Sequence, residues 1–222
     1  MKNIFLIMMI SFCMTLYAKT PEEICEIAMS KKTNDTFNKC LSVLESADGD
    51  TQYFISEMYS LGLYPPFIRN DAGLISKINS PDSKKRVYWL IKAANNKKPG
   101  VAAAYQLGEN FFYGRSDLGF YIDYEQAIKY HKIASKLGAF KSSSQLASIY
   151  LKGKGVKIDF IKAYVFDNIA LSQSGDDTEW AGIFREEIQE IERKIDLSML
   201  NQAQKKSREC ISSNLAKCDL YQ

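Results

Sequence analysis

Apolar and small residues recur with the same spacing in three segments of the chain, residues 51–62, 104–114 and 143–153. When the segments are aligned on their final glycine, a leucine or isoleucine, the small residue after it, and an aromatic residue coincide. These positions are Ile55, Ser56 and Tyr59, then Leu107, Gly108 and Phe111, then Leu146, Ala147 and Tyr150. The i, i+1, i+4 spacing puts the apolar side chains on one face of a helix. Each segment therefore predicts an amphipathic helix that ends at a glycine.

A second helix is predicted after each of these segments, and each begins at an aspartate. An aromatic residue follows the aspartate by seven positions and an alanine follows it by eleven. The matching sets are Asp82, Trp89 and Ala93; Asp123, Tyr130 and Ala134; and Asp159, Phe166 and Ala170. An aspartate at this place accepts hydrogen bonds from free N–H groups at the start of a helix. The aspartates are 41 and 36 residues apart, which is typical of a repeat array.

Each predicted pair of helices forms a hairpin that cannot bury its apolar face alone. The aromatic and alanine positions of the second helix lie four residues apart and pack back on the first helix. The small residue of the first helix lets a neighbouring backbone approach closely. Stacked hairpins bury these faces together, so the pattern predicts an all-α array with one continuous core.

The combined pattern resembles the Sel1-like repeat family, which is related to the tetratricopeptide repeats. In the second unit the matching residues are Ala103, Leu107, Gly108, Phe111, Gly114, Asp123, Ala127, Tyr130 and Ala134. In the third they are Leu146, Tyr150, Gly153, Gly155, Val156, Asp159, Ala163, Phe166 and Ala170. The first unit departs from the pattern, because Arg86 replaces the usual alanine and its loop is long. The resemblance covers about residues 51–175 and implies a right-handed α-solenoid of stacked antiparallel hairpins.

The predicted organisation follows from these units. Residues 1–18 are expected to be a signal peptide, and residues 19–48 an N-terminal helical hairpin that caps the array. The repeats are expected at about 49–97, 101–138 and 141–175. Residues 176–222 are expected to form C-terminal capping helices, with an amphipathic stripe of Trp180, Ile183, Phe184, Ile188, Ile191 and Ile195.

The first 18 residues predict export of the protein. Lys2 is followed by an apolar run from Ile4 to Leu16, and Ala18 offers a small residue at the cut. The run is shorter than the roughly 20 residues of a bilayer-spanning helix, although an uncleaved anchor remains the alternative. The expected location is therefore the periplasm or the medium, with cleavage near Ala18 and no integral membrane association afterwards.

The cysteines also fit an exported protein. Four remain after the signal segment, and an even number in an exported chain favours disulfides. Four cysteines allow three pairings, of which the local ones, Cys25–Cys40 and Cys210–Cys218, are favoured because each clamps a terminal hairpin. A four-cysteine zinc site is the alternative, but the sequence has no C-x-x-C spacing.

The sequence offers little chemistry for catalysis or cofactor binding. The net charge of +3 is too small to indicate nucleic acid. The single histidine, His131, is predicted at a surface or groove position and cannot form a metal site alone. Glu186 and Glu187 belong to a charged run, residues 185–194, that is predicted to be solvated. We therefore expect no cofactor, no metal and no enzymatic activity.

Contact with another protein is the function that the resemblance implies. Candidate contact residues come from the first helices and from two long loops, residues 63–80 and 115–122; the loop residues serve either as contact or as cover for the core. They are Gln52, Glu57, Tyr64, Phe67, Gln106, Glu109, Asn110, Phe120, Tyr121 and Gln145. Some short exported relatives are immunity proteins against phospholipase-type toxins delivered by type VI secretion, and this is the sharpest expectation. An envelope scaffold or a secreted host-interacting adaptor is the alternative, and a hydrolase of wall peptides is less favoured.

Overall fold

The computed structural model describes residues 41–62, 64, 68–69, 75–77, 79–175 and 178–221. The helices are α1 (Gly49–Ser60), α2 (Ser83–Ala94), α3 (Val101–Tyr113), α4 (Tyr124–Lys136), α5 (Phe140–Lys152), α6 (Phe160–Gln173), α7 (Thr178–Glu192) and α8 (Leu197–Ser212). Residues 41–44 are also helical, and 3-10 turns span Ser116–Leu118 and Asp219–Tyr221. The predicted signal peptide, most of the N-terminal cap, the Cys25–Cys40 pair and Phe67 lie outside the described residues.

The second helix of each repeat begins as the sequence predicts. The side chains of Asp82, Asp123 and Asp159 accept hydrogen bonds from backbone N–H groups three residues later, at N···O distances of 3.0, 3.0 and 2.9 Å. Each aspartate also donates its own N–H to the carbonyl of the aromatic residue in the preceding helix. These bonds join Asp82 to Tyr59 (3.0 Å), Asp123 to Phe111 (2.9 Å) and Asp159 to Tyr150 (3.0 Å). The same residue therefore starts one helix and fixes it to the other.

Helix pairs α1–α2, α3–α4 and α5–α6 pack as hairpins, and the hairpins stack on one another. Aromatic rings join the two helices of a hairpin: Phe111 stacks on Tyr130 with ring centroids 5.8 Å apart, and Tyr150 stacks on Phe166 at 5.7 Å. Leu107 and Leu146 are fully buried beside them. The predicted all-α solenoid of stacked hairpins is confirmed.

The loop between α1 and α2 contains a small β-hairpin that the sequence analysis does not predict. Strand β1 (Ile68–Arg69) pairs antiparallel with β2 (Ile75–Lys77), with Ile68 opposite Lys77. Isoleucine favours extended backbone, and the sequence between the strands, NDAGL, includes asparagine, aspartate and glycine, which are common in turns. Such a short alternation is too weak a pattern to separate from an irregular loop.

The C-terminal helices α7 and α8 both pack on α6. Phe184, Ile188 and Ile191 of the predicted stripe are buried, whereas Ile183 is 41% exposed, so this one position was wrongly placed on the apolar face. A disulfide joins Cys210 to Cys218. Among the described residues, no helix is both long and apolar enough to cross a membrane.

Candidate functional site

Helices α1 and α3 carry the same tyrosine–glutamate pair. Tyr53 and Glu57 lie four residues apart on α1, and Tyr105 and Glu109 occupy the equivalent positions on α3. Residues at this spacing are neighbours on a helix surface. Helix α5 has serines, Ser144 and Ser148, at the same two positions. The pair therefore distinguishes the first two repeats from the third.

In the first repeat the glutamate is balanced by a cation from the same hairpin. Arg86 of α2 places Nη2 3.8 Å from Glu57 Oε1, and both side chains are largely shielded from solvent. Burial raises the pKa of Tyr53, and the negative charge of Glu57 adds to this effect. Arg86 stands where the Sel1-like pattern usually has alanine. This difference gives the first repeat an internal ion pair.

In the second repeat the glutamate has a different environment. Tyr105 hydrogen-bonds Glu109, and His131 Nε2 of α4 lies 3.5 Å from Glu109 Oε1. Burial lowers the pKa of His131 to about 4, so the imidazole is neutral at pH 7. Burial raises the pKa of Glu109, while the hydrogen bond from Tyr105 and the charge of Lys141 act in the opposite direction. Within the part of the chain that the structure describes, no lysine or arginine forms an ion pair with Glu109.

His131 is fully buried, which corrects the predicted surface or groove position. Its Nδ1 lies 3.3 Å from Ser142 Oγ, whereas its Nε2 has no hydrogen-bond partner. The ring occupies the space beside Gly108, where an added Cβ would lie only 2.7 Å from it. The burial of His131 follows from its position in the repeat. His131 lies eight residues after its capping aspartate, and Leu90, which is also buried, lies at the same position in the first repeat.

Asp167 occupies the same position in the third repeat, and sequence reasoning did not single it out. It is 2% exposed, and its Oδ1 has no hydrogen-bond partner. Burial, with a further contribution from the charge of Glu187, raises the pKa of Asp167 to about 8, so the carboxyl is mostly protonated at pH 7. Alignment with Leu90 was the signal that would have found it.

Glu187 does not lie on a fully solvated face, which corrects that expectation. One of its carboxylate oxygens, Oε2, is buried without a hydrogen-bond partner, and burial raises the pKa of the side chain. The cause is the packing of α7 against α6, which brings Glu187 towards Asp167. Its neighbour Glu186 is exposed, as predicted.

Three of the predicted contact residues are buried and do not offer a contact surface. Gln52 is 1% exposed because its Nε2 donates to the Glu45 carbonyl and its Oε1 accepts from Asn96. Asn110 is buried within the repeat stack, and Phe120 packs edge-to-face on Phe111 at 5.0 Å. These three predictions are therefore corrected.

The other described candidates are at least partly exposed. Glu57, Gln106, Glu109 and Gln145 are half-buried, and Tyr121 is 79% exposed. Tyr64 donates its hydroxyl to the Ser80 carbonyl at 2.8 Å, and its ring lies 5.0 Å from that of Tyr59, so it covers the core. Tyr64 therefore serves as cover, whereas a contact role for Tyr121 stays a prediction.

The described residues offer no group of three histidine, cysteine or acidic side chains that would hold a metal ion. One surface depression of about 610 Å³ lies between α6 and α8, and its lining consists of Tyr164, Asn168, Gln204, Ser207, Arg208, Ile211 and Ser212. These side chains include no carboxylate or histidine to act as a base near neutral pH.

The repeat pattern is similar to that of a known family and to the fold of a solved structure. A family model described as Sel1 repeat matches residues 80–97, 101–138 and 141–166. Among solved structures, the chain is similar to a protective antigen present in uropathogenic Escherichia coli strains, whose crystal structure displays an SLR fold.

The similarity to that antigen is at 23% sequence identity with a TM-score of 0.51, and it covers 82% of this chain and 42% of that one. The chain thus spans about two fifths of the length of that protein, and the likeness shows the fold alone. No curated protein matches the chain significantly.

Proposed function

We propose, because the chain is a Sel1-like repeat protein, that it acts by binding another protein through the half-exposed positions of its first helices. Stacked repeats present an extended surface of this kind, and the family is generally a non-catalytic interaction scaffold. The choice of the binding face rests on one observation. Glu109 is 27% exposed and forms no ion pair with a lysine or arginine among the described residues, whereas the equivalent Glu57 pairs with Arg86.

We further propose that the protein is not an enzyme. His131 lies between Ser142 and Glu109 and contacts both, an arrangement that resembles a hydrolytic triad. However, Ser142 and His131 are both completely buried, so a substrate cannot reach the hydroxyl. A histidine with a pKa of about 4 is also a weak base at neutral pH, where a general base works best with a pKa near 7.

The finer proposal is an exported immunity protein of the bacterial periplasm that neutralises a phospholipase-type toxin delivered by type VI secretion. Its supports are the signal-like segment at residues 1–18, the even number of cysteines after it, and the Cys210–Cys218 disulfide. Neutralisation by contact alone needs no cofactor, and none is proposed. The proposed partner is a protein toxin and not a nucleic acid.

A capture experiment tests the binding function. The full exported chain carrying an affinity tag is expected to retain one defined protein from a periplasmic extract. Glu109→Lys is expected to lose that protein, whereas Glu186→Lys, which changes the same charge on the exposed face of α7, is expected to keep it. Retention of nothing specific by the wild-type chain contradicts the proposal.

Protection of living cells tests the immunity role. If a gene for a phospholipase-type toxin lies beside this one, its product is sent to the periplasm, with and without the full chain. Survival only with the exported form of the chain supports immunity. If the captured protein is an envelope component and cells are not protected, the scaffold alternative replaces immunity. Capture of a host protein by the secreted chain would instead favour the host-interacting adaptor.

A further inference from the structure

We infer that Tyr105, Glu109 and His131 form a receptor for an arginine side chain of the protein partner, and this inference rests on the proposed binding function. We call these three residues the Glu109 site. They combine a partly exposed carboxylate, a tyrosine beside it, and a buried imidazole nitrogen that has no hydrogen-bond partner. The chemical class of the occupant follows from the arrangement of these groups.

The first repeat has a guanidinium beside the equivalent carboxylate, with Leu90 in place of His131. Tyr53 and Glu57 are the repeat equivalents of Tyr105 and Glu109, and Arg86 supplies a guanidinium 3.8 Å from the Glu57 carboxylate. Arg86 stands four residues after its capping aspartate. The equivalent residue of the second repeat is Ala127, so that hairpin cannot supply a guanidinium from this position. The partner supplies it instead.

The buried histidine adds a second polar group to the site, and this group contacts Glu109. If Nδ1 carries the proton and donates to Ser142 Oγ, the lone pair of Nε2 is directed towards Glu109, 3.5 Å away. A neutral imidazole has one donor and one acceptor nitrogen, and the Ser142 hydroxyl can serve either tautomer because it both donates and accepts. Because Nε2 is completely buried, His131 contributes to the site through its contact with Glu109 and not as a direct ligand.

Guanidinium fits this site better than ammonium. It has five N–H donors in a planar fork, which match the two oxygens of a carboxylate. Its flat faces also stack on aromatic rings, and the ring of Tyr105 lies at the site, 6.1 Å from that of His131. The nearby Lys141 does not fill the site, because its ammonium lies over the Trp180 ring, 5.3 Å from the centroid.

A titration followed by amide NMR tests the inference without knowledge of the partner. The full chain, labelled with nitrogen-15, is titrated with N-acetyl-arginine methylamide, with the lysine analogue and with the neutral citrulline analogue. We expect saturable shifts at the amides of Tyr105 and Glu109 with arginine, weaker shifts with lysine, and none with citrulline. Glu109→Gln is expected to weaken arginine binding about tenfold, as loss of a charge-assisted pair would do.

Two matched variants separate binding from structure. Glu186→Gln removes the same charge at an exposed position of α7 and is expected to leave arginine binding unchanged. Glu109→Gln is expected to melt within a degree or two of the wild type, so that lost binding is not lost folding. Equal binding of arginine by wild type and Glu109→Gln overturns the inference, as does equal binding of citrulline.

Failure of this inference is distinguishable from failure of the proposed function. A protein captured equally by the wild type and by Glu109→Gln would keep the binding function and reject the Glu109 site. Capture that is lost in Glu109→Gln and retained in Glu186→Gln supports both. If arginine binds at the Glu109 site but no protein is ever captured, the site stands and the proposed function fails.

Discussion

His131 and Asp167 occupy the same position in two successive repeats, yet their surroundings differ. Each follows its capping aspartate by eight residues, and each is buried with a polar atom that lacks a hydrogen-bond partner. Burial drives both towards the neutral form, since it lowers the pKa of His131 to about 4 and raises that of Asp167 to about 8. The histidine reaches a partly exposed carboxylate, whereas the aspartate faces a second, half-buried acid.

The first repeat shows that the fold does not require an ionisable group at this position, because Leu90 is there and is fully buried. An aliphatic side chain needs no partner in the core. The two polar residues therefore reduce stability relative to leucine, each in a different range of pH. The comparison predicts opposite pH responses in neighbouring repeats.

The largest effect is expected from Asp167→Asn. The unfolded carboxyl titrates near 3.8 and the folded one near 8, so the folded state holds a proton that the unfolded state loses. Stability should therefore fall as pH rises from about 4 to about 8, and the amide should remove this loss. We expect the free energy of unfolding to rise by about 3 kcal/mol at pH 8 and to change little at pH 4. Urea unfolding across this range measures it; a gain at pH 4 as large as that at pH 8 would contradict the assignment.

The next effect concerns the space that His131 needs. A Cβ at Gly108 would lie 2.7 Å from the imidazole ring, so Gly108→Ala should cost about 2 kcal/mol of stability. The other repeats combine Ser56 with Leu90 and Ala147 with Asp167. The double variant Gly108→Ala, His131→Leu should therefore recover at least about 1 kcal/mol of the loss, as a double-mutant cycle by chemical denaturation would show. Additive effects would mean that the two residues are not coupled.

A smaller effect is expected from His131→Leu alone. It removes an unpartnered nitrogen but also the 3.3 Å contact with the Ser142 hydroxyl, and should raise the free energy of unfolding by up to about 1 kcal/mol at pH 7. The pKa of His131 is lowered from 6.5 to about 4, so the wild type binds fewer protons when folded and loses stability as pH falls through that range. The variant should lack this loss. Thermal melting at pH 4.5 and pH 7.5 tests both statements, and an unchanged pH response of the variant would refute the second.

The smallest effect on stability is expected from Glu187→Gln. The charge of Glu187 contributes to the raised pKa of Asp167, so its removal should bring the titration of Asp167 to lower pH. The change in unfolding free energy should be less than about 1 kcal/mol, because Glu187 is only half-buried. Carbon-13 NMR of the Asp167 carboxyl measures the shift. The exposed neighbour provides the control, since Glu186→Gln should leave that titration in place.

The hairpins were predictable from the sequence because their determinants are local and repeated. Asp123 caps the helix that starts beside it, and its spacing to Tyr130 fixes which face turns inward. The burial of His131 and Asp167 was missed, because an amphipathic pattern assigns polar residues to the surface. Their alignment with the apolar Leu90 indicates that both positions are buried.

Contact residues were harder to predict than helices. Gln52 fits the polar face of α1, but its hydrogen bonds to Glu45 and Asn96 close it off. Those partners lie at the end of the preceding helical segment and beyond α2, so the burial depends on tertiary packing. Glu57 and Glu109 were both chosen from the sequence, but only three-dimensional structure separates the paired carboxylate from the one without a cation.

The hydrogen bond from each capping aspartate to the preceding aromatic residue makes the hairpin independent of loop length. Nineteen residues separate Gly62 from Asp82, eight separate Gly114 from Asp123, and five separate Gly153 from Asp159, yet the same bond closes all three. The entropy of loop closure grows only slowly with length. Foreign peptides of different sizes can therefore be grafted between the glycine and the aspartate, which makes this edge of the protein a natural place to display them.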